Sequence, residues 1–278
     1  MKQVLFPLNM EELWSMWRDT PDAGLMAGGT DLLVKLRNKR ITLKTIICLE
    51  KIEELQQIKT DGAQISIGAM ISHQQLLDNQ VVKSRLECLH QAVAVLGSPP
   101  IRHMGTIGGN ICTASPAGDT LPPLYVLEAE LELISPAGSR LVPIKEFIYG
   151  PGKTVLAPME IIRQLIIELP APGVKTGYYK VGQRKSLAIA VCSLAVYLQQ
   201  AADGSIAEAR LAWGSAGPTV MRFTEVEALL QGRKISFDLL KECGQAVAEK
   251  VKPVSDLRAG ADYRRQLAAS LLMRLLPD

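Results

Sequence analysis

Histidine is scarce in this 278-residue sequence: only His73, His90 and His103 occur, and no two stand at metal-ligand spacing. Cysteine is little commoner. Cys48, Cys88, Cys112, Cys192 and Cys243 are odd in number, widely separated and never in a CxxC. That pattern predicts free thiols in a reducing cytoplasm and gives no local motif for zinc or an iron–sulfur cluster. No apolar run reaches the roughly 18 residues needed to span a bilayer. The start, Met1 to Pro7, has neither the long apolar core nor the small-residue cleavage site of a signal peptide. Membrane insertion is therefore not expected. A large charge excess is missing too: the net charge is +3, with 47% apolar and 21% charged residues, an ordinary globular balance. The densest basic cluster, Arg37-Asn38-Lys39-Arg40, has no interleaved aromatics to stack bases and reads as a solvated helix end, which sets nucleic acid aside. Redox chemistry in such a chain has to come from a bound organic cofactor.

What the chain does have is paired glycines. Leu25-Met26-Ala27-Gly28-Gly29-Thr30-Asp31 and Gly105-Thr106-Ile107-Gly108-Gly109-Asn110 each read as a short apolar run ending in a bare-backbone turn. Glycine removes the β-carbon, tolerates positive φ and lets consecutive N–H groups point into one concavity. Such nests suit phosphate oxygens, with the Thr30 and Thr106 hydroxyls as extra donors. Two of them suggest a diphosphate ligand.

Around these turns the pattern predicts a helix over 9–19 with Leu13, Trp14 and Trp17 on one side. A strand over 24–27 follows, then a helix over 31–38 with Leu32, Leu33 and Leu36 inward, and a strand over 45–49. Together these form a βαβ-like unit with its glycine turn at the carboxyl end of a strand, where ligands usually bind. Strands are expected at 64–67 and 131–134. Between them Val82, Leu86, Leu89, Val93 and Leu96 form a helical stripe that Gly97 ends. Residues 97–120 read as a 24-residue functional loop. Ala171-Pro172-Gly173 marks a boundary. Beyond it come alternating strands at about 189–198 and 206–213 and helices at about 223–231, 237–250 and 262–276. The last helix carries Tyr263, Leu267, Leu271 and Leu275 on one face.

These motifs resemble those of the flavoprotein (medium) subunits of the molybdenum hydroxylases, the xanthine dehydrogenase and carbon monoxide dehydrogenase type. The resemblance rests on Ala27 to Asp31, on Ile101 to Asn110 continuing through Ser115-Pro116-Ala117-Gly118-Asp119, on Tyr179 to Lys185, and on Asp256 to Arg264. It covers nearly the whole chain and implies an α+β fold. An FAD-binding domain of the vanillyl-alcohol-oxidase (PCMH) type over 1–170, with subdomains about 1–55 and 56–170, precedes a smaller α+β domain over 174–278.

The resemblance further implies non-covalent FAD. Ala27 to Asp31 would hold the pyrophosphate, with Leu25 and Met26 also among the cofactor-binding residues, and Thr106, Gly109 and Asn110 would line the phosphates and ribityl chain. Asp119 would accept from ribityl hydroxyls, its alternative being a helix N-cap. Leu165 matches the apolar residue beside the flavin ring, with Ile166 as the alternative. Lys180 matches a basic residue near the flavin and otherwise reads as a surface strand lysine. The family commonly has an Asp where this chain has Ala188. His103 and Cys112, which flank the second turn, read as a loop hydrogen-bonder and a small buried side chain. As partners the resemblance implies a molybdenum-cofactor subunit and a two-iron–two-sulfur subunit, with an acceptor such as NAD. Two other readings stay open: an independent FAD-dependent oxidoreductase, and a cofactor-free assembly subunit.

Overall fold

The computed structural model describes residues 3–184 and 187–276; Lys185 of the basic motif lies outside them, as do Met1, Lys2, Ser186, Pro277 and Asp278. Three main sheets follow one another along the chain, with a small two-stranded one, Ile148–Gly150 and Lys153–Thr154, besides. The first is parallel, with Thr45–Cys48 between Gln3–Leu5 and Gly24–Met26. Its middle strand is buried at Ile46, Ile47 and Cys48 in succession, because both faces are covered. The helix Met10–Asp19 packs Leu13 against it. Asn9 starts that helix by accepting the Glu12 N–H at 2.9 Å.

The second sheet runs in the order Ile58–Asp61, Gln64–Gly68, Ile161–Glu168, Glu130–Ser135, Gly138–Pro143, antiparallel throughout. The third is a meander of Lys175–Gly182, Ala190–Gln200, Ile206–Gly214 and Met221–Arg222. Ala190–Gln200 does not alternate as expected. Ala195 and Tyr197 join the core of the second sheet, while Cys192, Leu194, Val196 and Leu198 pack under the C-terminal helices. A strand buried on both faces has no polar side to show.

Several other expectations need correcting. The stripe from Val82 to Val93 is buried as read, but it belongs to two helices, Gln80–Arg85 and Glu87–Ala94, broken at Leu86. The supposed 24-residue loop contains two helices, Pro99–Met104 and Ile107–Thr113. Proline at a first helical position starts a helix rather than breaking one. The second glycine pair is thus the first turn of a helix, not a turn after a strand. Leu33 and Tyr263 face outward; Arg264, Ala268, Leu271 and Leu272 are the buried residues of the final segment.

Two carboxylates from the first half tie it to the third sheet. Asp119 is buried and accepts from the Tyr178 hydroxyl at 2.8 Å and from Lys180 Nζ at 2.7 Å. Glu128 sits between Arg210 (3.2 Å) and Arg222 (2.9 Å). Removing one member of a buried pair leaves the other charge uncompensated. Lys180→Met should therefore lower stability by about 3 kcal/mol, read as an earlier urea midpoint at unchanged m-value; an unmoved midpoint would show the pair to be energetically idle.

Candidate cofactor site

Three segments converge beyond the ends of the first sheet: 27–32, 69–73 and 104–113. Their approach is backbone to backbone. A β-carbon on Gly28 would overlap the Met104 carbonyl oxygen, and one on Gly108 would lie 2.6 Å from the Ala69 β-carbon. The Gly108 and Ile107 N–H groups donate to Ala69 O and Ile71 O, and the His73 N–H donates to Gly105 O at 2.9 Å. These bonds zip 69–73 alongside 105–108.

The cavity they enclose has a volume of about 450 Å³, within the range of ordinary ligand sites. Leu25, Ala27, Gly28, Gly29, Thr30 and Asp31 line it, together with Thr106, Gly109 and Asn110 from the helix Ile107–Thr113 and its cap. Gly29 has φ +72°, the left-handed value a nest requires. Among the described residues, no N–H from Gly28 to Leu32 donates to a protein acceptor, and the Thr30 hydroxyl has no protein partner either. That is a run of unpartnered donors in residues that line the cavity. Leu49, Met70, Leu156, Ile161 and Ile162 add an apolar lining. Free donors together with an aliphatic lining fit the diphosphate and a flat ring of a dinucleotide such as FAD.

The charged groups around the cavity are already paired. Asp31 meets Lys35 at 2.6 Å. Glu160 receives both Arg140 bonds, at 2.7 and 2.8 Å, and these hold its carboxyl below the usual range. Thr120 donates to Asn110 Oδ1 at 2.7 Å and so fixes that carboxamide.

Four expected residues do not line the cavity. Met26 lies beneath it, its sulfur 3.2 Å from where a Gly29 β-carbon would be. Asp119 and Lys180 are bound to each other across the seam between the halves. Leu165 is wholly buried in the sheet core, and Ile166 points to a separate cavity of about 820 Å³ in that seam. That larger cavity holds Arg210 and Arg222, but both guanidinium groups are committed to glutamates. Cys112 is exposed on the cavity rim rather than buried, and His103 is exposed on a helix, its side chain making no hydrogen bond among the described residues.

Sequence reasoning passed over Glu160, Ile161, Ile162 and His73, all of which reach the cavity. No local signal marks them, since only the sheet register and the zipped segment bring them there. His73 is 2% exposed, and burial, with Arg102 nearby, pushes its imidazole down to about 4. Between pH 6.5 and 4 the unfolded chain takes up a proton on this ring that the folded chain refuses, so stability falls as pH falls through that window. His73→Gln should lose stability less steeply there, the gap reaching about 3 kcal/mol near pH 4; parallel pH profiles in urea titrations would contradict this. Gly28→Ala should destabilise the flavin-free chain severely, because backbone has to move to admit the methyl group; a wild-type melting temperature would refute the close approach.

Residues 1–172 match the family model described as the FAD binding domain in molybdopterin dehydrogenase, and residues 177–278 match the CO dehydrogenase flavoprotein C-terminal domain. The chain is 35% identical to the glyceraldehyde dehydrogenase medium chain of Sulfolobus acidocaldarius over 91% of this chain and 89% of that one. It is 30% identical to the xanthine dehydrogenase FAD-binding subunit of Escherichia coli O157:H7, over 94% and 89%. Among solved structures, a carbon monoxide dehydrogenase from Hydrogenophaga pseudoflava superimposes with a TM-score of 0.93 at 28% identity, over 98% of this chain and 95% of that one. With both halves matched in order over nearly their whole length, the chain belongs to the FAD-binding medium subunits of the molybdenum hydroxylase family.

Proposed function

We propose that this chain carries non-covalent FAD within a molybdenum hydroxylase complex, where the flavin takes electrons relayed by a two-iron–two-sulfur chain from a molybdenum subunit and passes them to an acceptor such as NAD. The observation that carries the reading is the run of unpartnered N–H groups from Gly28 to Leu32 in a cavity otherwise lined largely by apolar side chains. These residues bind and orient: backbone donors and the Thr30 hydroxyl fix the diphosphate, while Leu49, Ile161 and Ile162 exclude water from the ring beside them. Asp119 and Lys180, which do not line this cavity, act in this reading as the ion pair that holds the third sheet against the FAD-binding half. The chain has no activity on an organic substrate alone. Its compartment is the cytoplasm, in keeping with five free thiols. No helix among the described residues is long and apolar enough to cross a membrane.

A partner surface lies in the second half. Gln183 donates to Arg258 O at 3.0 Å, and Arg264 donates to both Asp256 and Val191 O, so Gln183 and Val191 lie against the 256–264 segment. Leu187, Ile189, Val254, Leu257 and Tyr263 are all exposed there. We assign this apolar cluster to the iron–sulfur chain, since stable interfaces need an apolar centre.

Acid precipitation of the purified protein should release a yellow supernatant that co-migrates with FAD; colour left in the pellet would refute non-covalent binding. Gly29→Val forces a side chain onto a positive φ. At Gly109 a β-carbon would lie 2.9 Å from Thr106 Oγ1 and fill the cavity floor. Each should weaken FAD binding by roughly 5- to 150-fold, or about 1–3 kcal/mol; unchanged affinity in both would remove the two motifs from the site. Affinity purification of the tagged chain from its native cell should recover a molybdenum chain and a small iron–sulfur chain, and Leu257→Asp should deplete the latter. Recovery of the flavoprotein alone, fully active on an organic substrate, would favour an independent oxidoreductase.

A further inference from the structure

His73 is the one polar side chain of the cavity whose burial has no internal justification. Among the described residues its Nδ1 is sealed from solvent without a partner, and Nε2 makes no protein hydrogen bond. Since Nδ1 has no accessible surface and the residue lines the cavity, Nε2 is the nitrogen left to face it. A buried polar group without a partner is costly unless a ligand supplies one.

The ring's position is tightly set. Its backbone N–H is held by Gly105 O, and its Cδ2 lies 3.2 Å from the point a Gly105 β-carbon would occupy. The Thr30 hydroxyl lies 3.4 Å from that same point. Imidazole and hydroxyl therefore stand on the same side of Gly105, and all three residues line the cavity together with Gly28 to Leu32. Charge makes the same point. Lys35 is the only cation among the described residues lining the cavity, and it is paired with Asp31. Arg102, nearby, donates to Gln74 and to the carbonyls of Leu96 and Gly97. A diphosphate here meets neutral donors rather than a free cation.

We propose that His73 is a cofactor-binding residue whose Nε2–H donates a hydrogen bond to a phosphate oxygen of the dinucleotide, completing the row formed by the 28–32 amides and the Thr30 hydroxyl. This rests on the reading of the cavity as the diphosphate site. With the proton on Nε2, the sealed Nδ1 is left as a lone pair, and the donor faces the anion.

The test uses the full chain freed of flavin, with FAD, ADP and adenosine as probes in competition and titration calorimetry. His73→Leu should weaken FAD and ADP alike, by about 10- to 100-fold, and leave adenosine unchanged. His73→Gln, which keeps an N–H donor, should recover most of that loss. Wild-type ADP affinity in His73→Leu overturns the proposal while leaving the cavity assignment standing, and so does an equal loss for adenosine. A wild-type chain that binds neither FAD nor ADP overturns both. If the leucine variant fails to fold, ¹⁵N-imidazole spectra of the wild type decide: the His73 signals should move on adding ADP and not on adding adenosine. Signals that stay put with ADP bound overturn the proposal.

Discussion

The contact between Gly28 and the Met104 carbonyl is the constraint on which the cofactor site depends. Two stretches of main chain far apart in sequence touch there with no side chain between them. Gly108 repeats the arrangement against Ala69. The N–H groups of Gly105 and of Ile107 to Asn110 are spent within the protein, so the unpartnered ones are those of Gly28 to Leu32, in residues that line the cavity. Gly29, at φ +72°, then turns the first segment where its amides have no protein acceptor. The glycines thus divide the work: Gly28 and Gly108 permit approach, Gly29 supplies the turn, and Gly109 leaves room on the cavity floor.

A second theme is that the positive charges near the cavity are tied down. Lys35 holds Asp31, Arg140 holds Glu160, and Arg102 holds two main-chain carbonyls. Fixed neutral donors are left to receive an anionic ligand, at positions set by the fold rather than by mobile side chains. Farther along, Asp119 bound by Tyr178 and Lys180, and Glu128 bound by Arg210 and Arg222, lock the first half onto the third sheet.

Much of this was legible in the residues. The apolar strand, glycine turn and following helix of the first 50 residues read correctly because propensity, periodicity and turn chemistry agree there. The stripe from Val82 to Val93 gave burial but not continuity, since Asn79 caps a separate short helix and Leu86 breaks the path between the two. Gly108-Gly109 misread as a strand-ending turn because glycine at a helix start is rare without a packing reason, and that reason, Ala69, is distant in sequence. The residues that complete the cavity from elsewhere were invisible for the same cause. Ile161 and Ile162 arrive by sheet register, and His73 by the pairing of 71–73 with 105–107. Leu165 looked suitable for a ring contact, yet two-sided burial in the second sheet keeps it in the core.

The central claim is that the glycine cavity, and not the larger seam cavity with Arg210 and Arg222, receives the diphosphate. A crystal structure of the flavin-loaded chain tests it most directly. The account predicts phosphate density within hydrogen-bonding distance of the amides between Gly28 and Leu32, with the Thr30 hydroxyl turned toward it. Phosphates seated in the seam cavity, with Glu128 displaced from its two arginines, would contradict it.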